Sequence, residues 1–300
     1  MAYEKEVEEI MKFLKRYMAA ILALLMIVTV QVPVFADAVE GDVILCFGQD
    51  LTPEQRDALM KRFNGSDEDQ IIEVTNKEEH KYLGDFVPES KIGRKAISSA
   101  KVEYTAEGSG IQVETSKRIR YITHDMYRQA LETAGIKDAK ITVDAPMNVS
   151  GTAALTGIMK AYETSTGKKI SDKVKKAANE EMVVTSELAQ DVGADKATGL
   201  VKDIKEKIAT EAPKTREEVQ NIVINISNEY NLNLTAEQTD KLTNFFDRLR
   251  KTEIDWNGLA DKAKGAADQA KEYINSEEGQ SLIQKIKAFF ADLFNSIFNK

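Results

Sequence analysis

The chain has 300 residues, 42% of them hydrophobic and 30% charged, which is enough apolar material for one large or two modest cores and argues against disorder throughout. Its formal net charge of -8 excludes nucleic acid as the main partner, because phosphate neutralisation needs clustered Lys and Arg. A single cysteine, Cys46, excludes an internal disulfide framework and a cysteine-rich zinc site, and neither cofactor nor metal is expected.

Lys12, Lys15 and Arg16 precede an apolar run from Met18 to Val30 and then Gln31-Val-Pro-Val-Phe-Ala36. That order is a secretory signal, with cleavage expected after Ala36, or secondarily after Ala38, and a mature chain starting at Asp37. An uncleaved membrane anchor and a buried core helix are the rival readings. Four cations and four anions lie within residues 1–36, so the acidity belongs to the exported part.

Asp42 to Phe47 is a nearly continuous apolar run between Gly41 and Gly48, the pattern of a buried strand. Thr52 as N-cap and Pro53 at the first position open a helix that Asn64-Gly65 stops, and Ile71 to Val74 reads as a second strand. The same grammar returns with Ile119 to Ile122 as strand, Thr123 as N-cap, Met126 to Ala134 as helix, Gly135 as stop and Ile141 to Val143 as strand. Six residues separate Gly from Ile in both copies (Gly65 to Ile71, Gly135 to Ile141), which suggests a weak internal repeat. Between them, Ser98 to Tyr104 and Ile111 to Ile122 flank Glu107-Gly-Ser-Gly110, a hairpin signal. The fold class expected is α+β: a mixed sheet of about five strands from two strand-helix-strand units and a hairpin, followed by a helical C-terminal region.

From Thr152 the pattern is helix after helix, expected over 152–165, 171–191, 194–210, 215–231, 235–252, 255–275 and 278–298. Breaks fall at Gly167, Gly193, Pro213 and Asn233. Ala212-Pro213 is the expected boundary, giving a signal at 1–36, an α+β domain at 37–212 and a helical region at 213–300.

Candidate chemistry is sparse. His80 lies beside Glu78 and Glu79, and a His near an acid could serve as a general base; the plainer reading has Asn76 capping a short helix whose Glu78 and Glu79 face water. Ser150, Gly151 and Thr152 open a helix where free amides could hold an anion, or where small residues simply allow close helix-to-sheet packing. Cys46 reads as a small buried hydrophobe. At the C-terminus Ile286, Phe290, Leu293, Phe294 and Ile297 form an apolar stripe suited to docking on the protein itself, on a partner, or on a membrane surface.

The chain resembles the YpuA-like family of secreted Firmicutes proteins, a domain of unknown function. The resemblance rests on Gly-Gln-Asp-Leu-Thr-Pro-Glu-Gln (48–55), Val-Thr-Asn-Lys-Glu-Glu-His-Lys-Tyr-Leu-Gly (74–84), Ile-Gly-Arg-Lys-Ala-Ile-Ser-Ser-Ala (92–100) and Ser-Gly-Thr-Ala-Ala-Leu-Thr-Gly (150–157), and runs to about residue 235. It implies a Gram-positive source and a destination in the envelope or medium, and it carries over no activity, cofactor or site residue. The functional expectation is a secreted or envelope protein, non-enzymatic, that binds an envelope component or a protein partner. The alternatives are an exported hydrolase using His80, Glu78 and Glu79 near Ser150 and Thr152, and peripheral membrane attachment through the C-terminal helix.

Overall fold

The structure, a computed structural model, describes residues 40–288 apart from 67, 88, 279 and 283. The signal segment and Phe290, Leu293, Phe294 and Ile297 lie outside the described residues.

The first strand, β1 (Val43–Gly48), is buried on both faces, as its continuous apolar run requires. Helix α1 (Pro53–Arg62) starts with a full capping box: Gln55 N–H donates to the Thr52 hydroxyl, and the Gln55 side chain accepts from Thr52 N–H at 3.0 Å. It returns the chain to β2 (Gln70–Val74), parallel to β1. Two short helices, α2 (Asn76–Leu83) and α3 (Glu89–Ile92), lead into β3 (Ser99–Tyr104). Strand β4 (Ile111–Thr115), helix α4 (His124–Thr133) and strand β5 (Ala139–Asp144) form the second strand-helix-strand unit, with β4 parallel to β5. The sheet order is β2-β1-β3-β5-β4, and β3 runs antiparallel to both of its neighbours. The mixed five-stranded sheet of an α+β protein therefore holds two like units on either side of one reversed strand.

Two details differ from the sequence reading. Ile119 to Ile122 is not a strand: Ile119 makes only an isolated parallel bridge to Val149. A turn closed by Ile119 N–H to Ser116 O at 3.0 Å ends the extended run beforehand, and it aims Arg118 at Asp144. The strands flanking Glu107-Gly-Ser-Gly110 also do not pair as a hairpin, because β5 lies between them. Its buried Ala139, Ile141 and Val143 suit an interior position, whereas Ile111-Gln-Val-Glu-Thr has one polar side and takes the edge.

Helix α1 covers one face of the sheet through Leu59 and Phe63 against Leu45 and Phe47. The other face carries the main core, built from Ile44, Val102, Ile141 and Val143 with α4, α5 (Thr152–Thr166) and α6 (Asp172–Val192). Gly157 of α5 explains how closely that helix approaches: a Cβ there would stand 2.9 Å from Val74 Cγ2 and 3.0 Å from Cys46 Cβ. A second core joins α6 to α7 (Ala194–Glu211), α8 (Arg216–Glu229) and α9 (Ala236–Leu249), so residues on both sides of Ala212-Pro213 share one apolar cluster. Helix α10 (Trp256–Asn275) is anchored by Ala260, while every side chain described from Lys264 to Asn275 is exposed. Leu282 and Ile286 beyond it are exposed as well. Among the described residues, no helix is long and apolar enough to cross a membrane.

Candidate functional site

The carboxyl ends of β1, β2, β4 and β5 all point to one edge of the sheet, since β3 alone is reversed. Open α/β sheets place ligands at this edge, and α2 and α5 begin there directly after β2 and β5. Thr75, not Asn76, caps α2: Glu78 N–H donates to its hydroxyl, and Glu78 Oε2 accepts from Thr75 N–H at 2.8 Å. That capping box consumes Glu78, whose other oxygen pairs with Lys160 at 2.7 Å. Burial opposes its ionisation, but the bonds from Lys160 and Thr75 outweigh it and hold the carboxyl below its usual value.

One residue further, Glu79 points the opposite way. It is 2% exposed, contrary to the expectation that it faces water, and the Thr152 hydroxyl donates to its Oε1 while Asn76 Nδ2 donates to Oε2 at 3.2 Å. Burial pushes its pKa up; the bonds from Thr152 and Asn76 recover only part of that, and the negative charge of Asp50 adds to the rise. Ser150 Oγ lies 3.2 Å from Thr152 Oγ1. A hydrogen-bonded chain thus runs from Ser150 through Thr152 to a buried carboxylate.

The turn that positions this chain depends on Gly151. Its φ of 103° lies in the left-handed region, and a Cβ there would stand 2.3 Å from Tyr127 Oη. The Tyr127 hydroxyl instead donates to Gly151 O at 2.6 Å. Ser98, from the loop before β3, accepts from Ala154 N–H at 3.0 Å and so caps α5 from outside the helix.

Ser150 and Thr152 open onto a cleft of about 350 Å³, walled by Leu83, Val87, Ile92, Ile122 and Val183, with Ser186, Glu187, Gln190 and Tyr121 at the remaining sides. Tyr121 is 62% exposed at its mouth. A wider groove of about 550 Å³ between α6 and α9 is polar, and its side chains already satisfy one another: Gln238 donates to Asp191 at 2.7 Å, and Lys241 pairs with Glu187. The cleft over Thr152 combines an apolar wall with convergent polar groups.

The sequence candidates therefore separate. Glu79, Ser150 and Thr152 come together. Glu78 is spent on its cap and on Lys160. His80 Nδ1 lies 2.8 Å from Asn76 O within its own helix. His124 sits on the surface beside Asp125 at 3.2 Å. Cys46 is buried, its Sγ donating to Gly157 O at 3.3 Å, and burial pushes the thiol pKa up. No group of three or more metal-ligating side chains occurs among the described residues.

Sequence reasoning missed two buried ionic clusters. Asp144, at the end of β5, accepts from Arg118 at 2.7 and 2.9 Å and from Arg62 at 2.7 Å; burial opposes its ionisation, yet these bonds and that from Ala145 N–H hold the carboxyl at about 2. Lys205 of α7 is enclosed with Glu181 of α6 at 2.6 Å. Its signal was present in the sequence, because Lys205 interrupts the stripe of Val201, Ile204 and Ile208 that buries this face of α7.

The sequence profile of a family described as "Protein of unknown function (DUF1002)" matches residues 47–266, beyond the limit near 235 suggested by the motifs. The "Uncharacterized protein YpuA" of Bacillus subtilis (strain 168) is 41% identical over 281 residues, covering 93% of this chain and 96% of that protein. No solved structure matches the chain. The chain belongs to the DUF1002 family of YpuA-like proteins, whose function is unknown.

Proposed function

We propose that the mature chain, exported from a Gram-positive cell, is a non-enzymatic binding protein whose ligand occupies the cleft over Ser150 and Thr152. The observation that carries this reading is the meeting of an aliphatic wall with two hydroxyls backed by a buried carboxylate. A cleft of about 350 Å³ lies within the range used for small ligands or for one arm of a larger one. The apolar run before Ala36 supports export. Val183→Trp, which fills the cleft from α6, tests the site: ligand-observed NMR with a fragment library should give hits on the wild type that vanish in the variant. Equal hits on both would refute the assignment. N-terminal sequencing of protein from the culture medium should begin at Asp37, and an intact N-terminus retained in the cell would refute export.

A second reading, hydrolysis, is favoured by the chain from Ser150 to Glu79, which has the layout of a hydroxyl nucleophile relayed to a base. Turnover of short-chain p-nitrophenyl esters that is lost in both Glu79→Gln and Thr152→Val would establish it. Turnover indifferent to either variant would remove it.

A further inference from the structure

The chemistry of the cleft floor restricts what can bind there. Thr152 has one hydroxyl proton, and it is donated to Glu79. In the 3.2 Å contact between Ser150 and Thr152, Ser150 must then be the donor, which spends its only proton as well. With Glu79 ionised, the two hydroxyls face the cleft as acceptors, and a ligand must bring hydrogen-bond donors to them. The fixed charges agree. Glu79 lies behind the floor with Asp50 close enough to disturb it, while Glu187 stands on the wall. Glu187 is in turn paired with Lys241 of α9. Among the other groups around Glu79, Asn76 donates to it, the His80 ring is bonded to Asn76 O, and the Tyr127 hydroxyl is given to Gly151 O. A carboxylate or phosphate ligand on this floor would meet repulsion from Glu79 and find the Ser150 and Thr152 hydroxyl protons already given away. Above the floor, Leu83, Val87, Ile92, Ile122 and Val183 offer only aliphatic surface.

Resting on the assignment of this cleft as the binding site, we infer that its ligand carries a primary ammonium group on an aliphatic arm. The ammonium supplies three N–H donors and a positive charge against Ser150, Thr152 and the Glu79 carboxylate behind them. The arm lies along the wall from Leu83 to Val183.

The test is a matched set of probes, n-hexylamine, n-hexanol and n-hexanoate, titrated by saturation-transfer NMR into the mature chain and into Glu79→Gln, Thr152→Val and Val183→Trp. The wild type should hold n-hexylamine about tenfold more tightly than n-hexanol, and n-hexanoate least of all, as expected for one partly screened opposite charge. Glu79→Gln should bring n-hexylamine to the level of n-hexanol. Thr152→Val, which severs Ser150 from Glu79 without removing the carboxylate, should weaken n-hexylamine by about fivefold and serves if the Gln variant does not fold. Val183→Trp should release all three probes. If n-hexanol or n-hexanoate binds as tightly as n-hexylamine, and Val183→Trp still releases it, the ammonium preference is wrong while the cleft stands. If no probe binds, or binding survives in Val183→Trp, both inferences fall.

Discussion

Lys205→Met should be among the most damaging single substitutions in the protein. The Lys205 and Glu181 side chains are 3% and 1% exposed, and the ammonium places all three of its protons: on Glu181 Oε1 at 2.6 Å, on Thr133 Oγ1 at 2.9 Å and on Gln129 O at 3.2 Å. Thr133 in turn donates to Glu181 Oε2 at 2.5 Å. The cluster pins α4, which belongs to the second strand-helix-strand unit, to α6 and α7 of the helical half. Removing one partner of such a pair strands a charge in an apolar interior, at about 3–5 kcal/mol. For a chain of this size that is a fall in melting temperature of roughly 6–20 °C. Replacing both charges by apolar side chains of like volume should be near neutral, because the desolvation of both ions is relieved together. Urea denaturation of Lys205→Met, Glu181→Met and the double variant gives the coupling directly, and it should exceed about 2 kcal/mol. A single variant costing under about 1 kcal/mol, or a double variant as costly as the sum of the singles, would refute the reasoning.

Four further outcomes are expected. Asp144 titrates near 2 instead of its ordinary 3.8, so its stabilising contribution is present above the ordinary value and lost as pH falls toward 2. Asp144→Asn should cost roughly 1–2 kcal/mol at neutral pH, less than the full shift because both arginines are about one-third exposed, and chemical denaturation should show the deficit closing in acid. Glu79 behaves oppositely: its folded value is raised above 4.5, so the native state keeps a proton that the unfolded state has lost, and stability falls as pH rises through the folded value. Glu79→Gln should therefore gain on the wild type as pH increases over that interval; a parallel pair of pH-stability curves would contradict this. Gly151→Ala places a Cβ at a φ of 103° and against the Tyr127 hydroxyl, and a melting curve should record a loss of about 1–3 kcal/mol. Cys46, fully enclosed between β1 and α5, should react with a thiol reagent only at the rate of unfolding, and fast labelling of the native protein would count against its placement.

Local signals were readable where the chemistry is local. Thr52-Pro-Glu-Gln announces a capped helix because every group in the box lies within four residues. Gly167 and Gly193 likewise mark helix ends, since both take positive φ. Long-range pairing was less legible. Ile111-Gln-Val-Glu-Thr can pair with β3 across a short turn or with β5 across a helix, and the choice depends on which strand better fills the sheet interior. The site shows the same division. Ser150 and Thr152 could be singled out as small polar residues at a helix start, and Glu79 as an acid near a histidine. Only the fold brings them together, since it turns Glu79 inward and Glu78 outward on adjacent residues of one short helix. His80 drew notice through residue type alone, and its ring bonds to its own backbone.

The most direct test of the cleft as the functional site is a fragment titration of the mature chain carrying labelled Leu, Val and Ile methyl groups. The shifts produced by bound fragments should cluster on Leu83, Val87, Ile92, Ile122 and Val183, which wall the cleft beside Ser150 and Thr152. Shifts that cluster instead on Leu188 and Leu242, in the polar groove between α6 and α9, would contradict the assignment and move the binding site to the helical half.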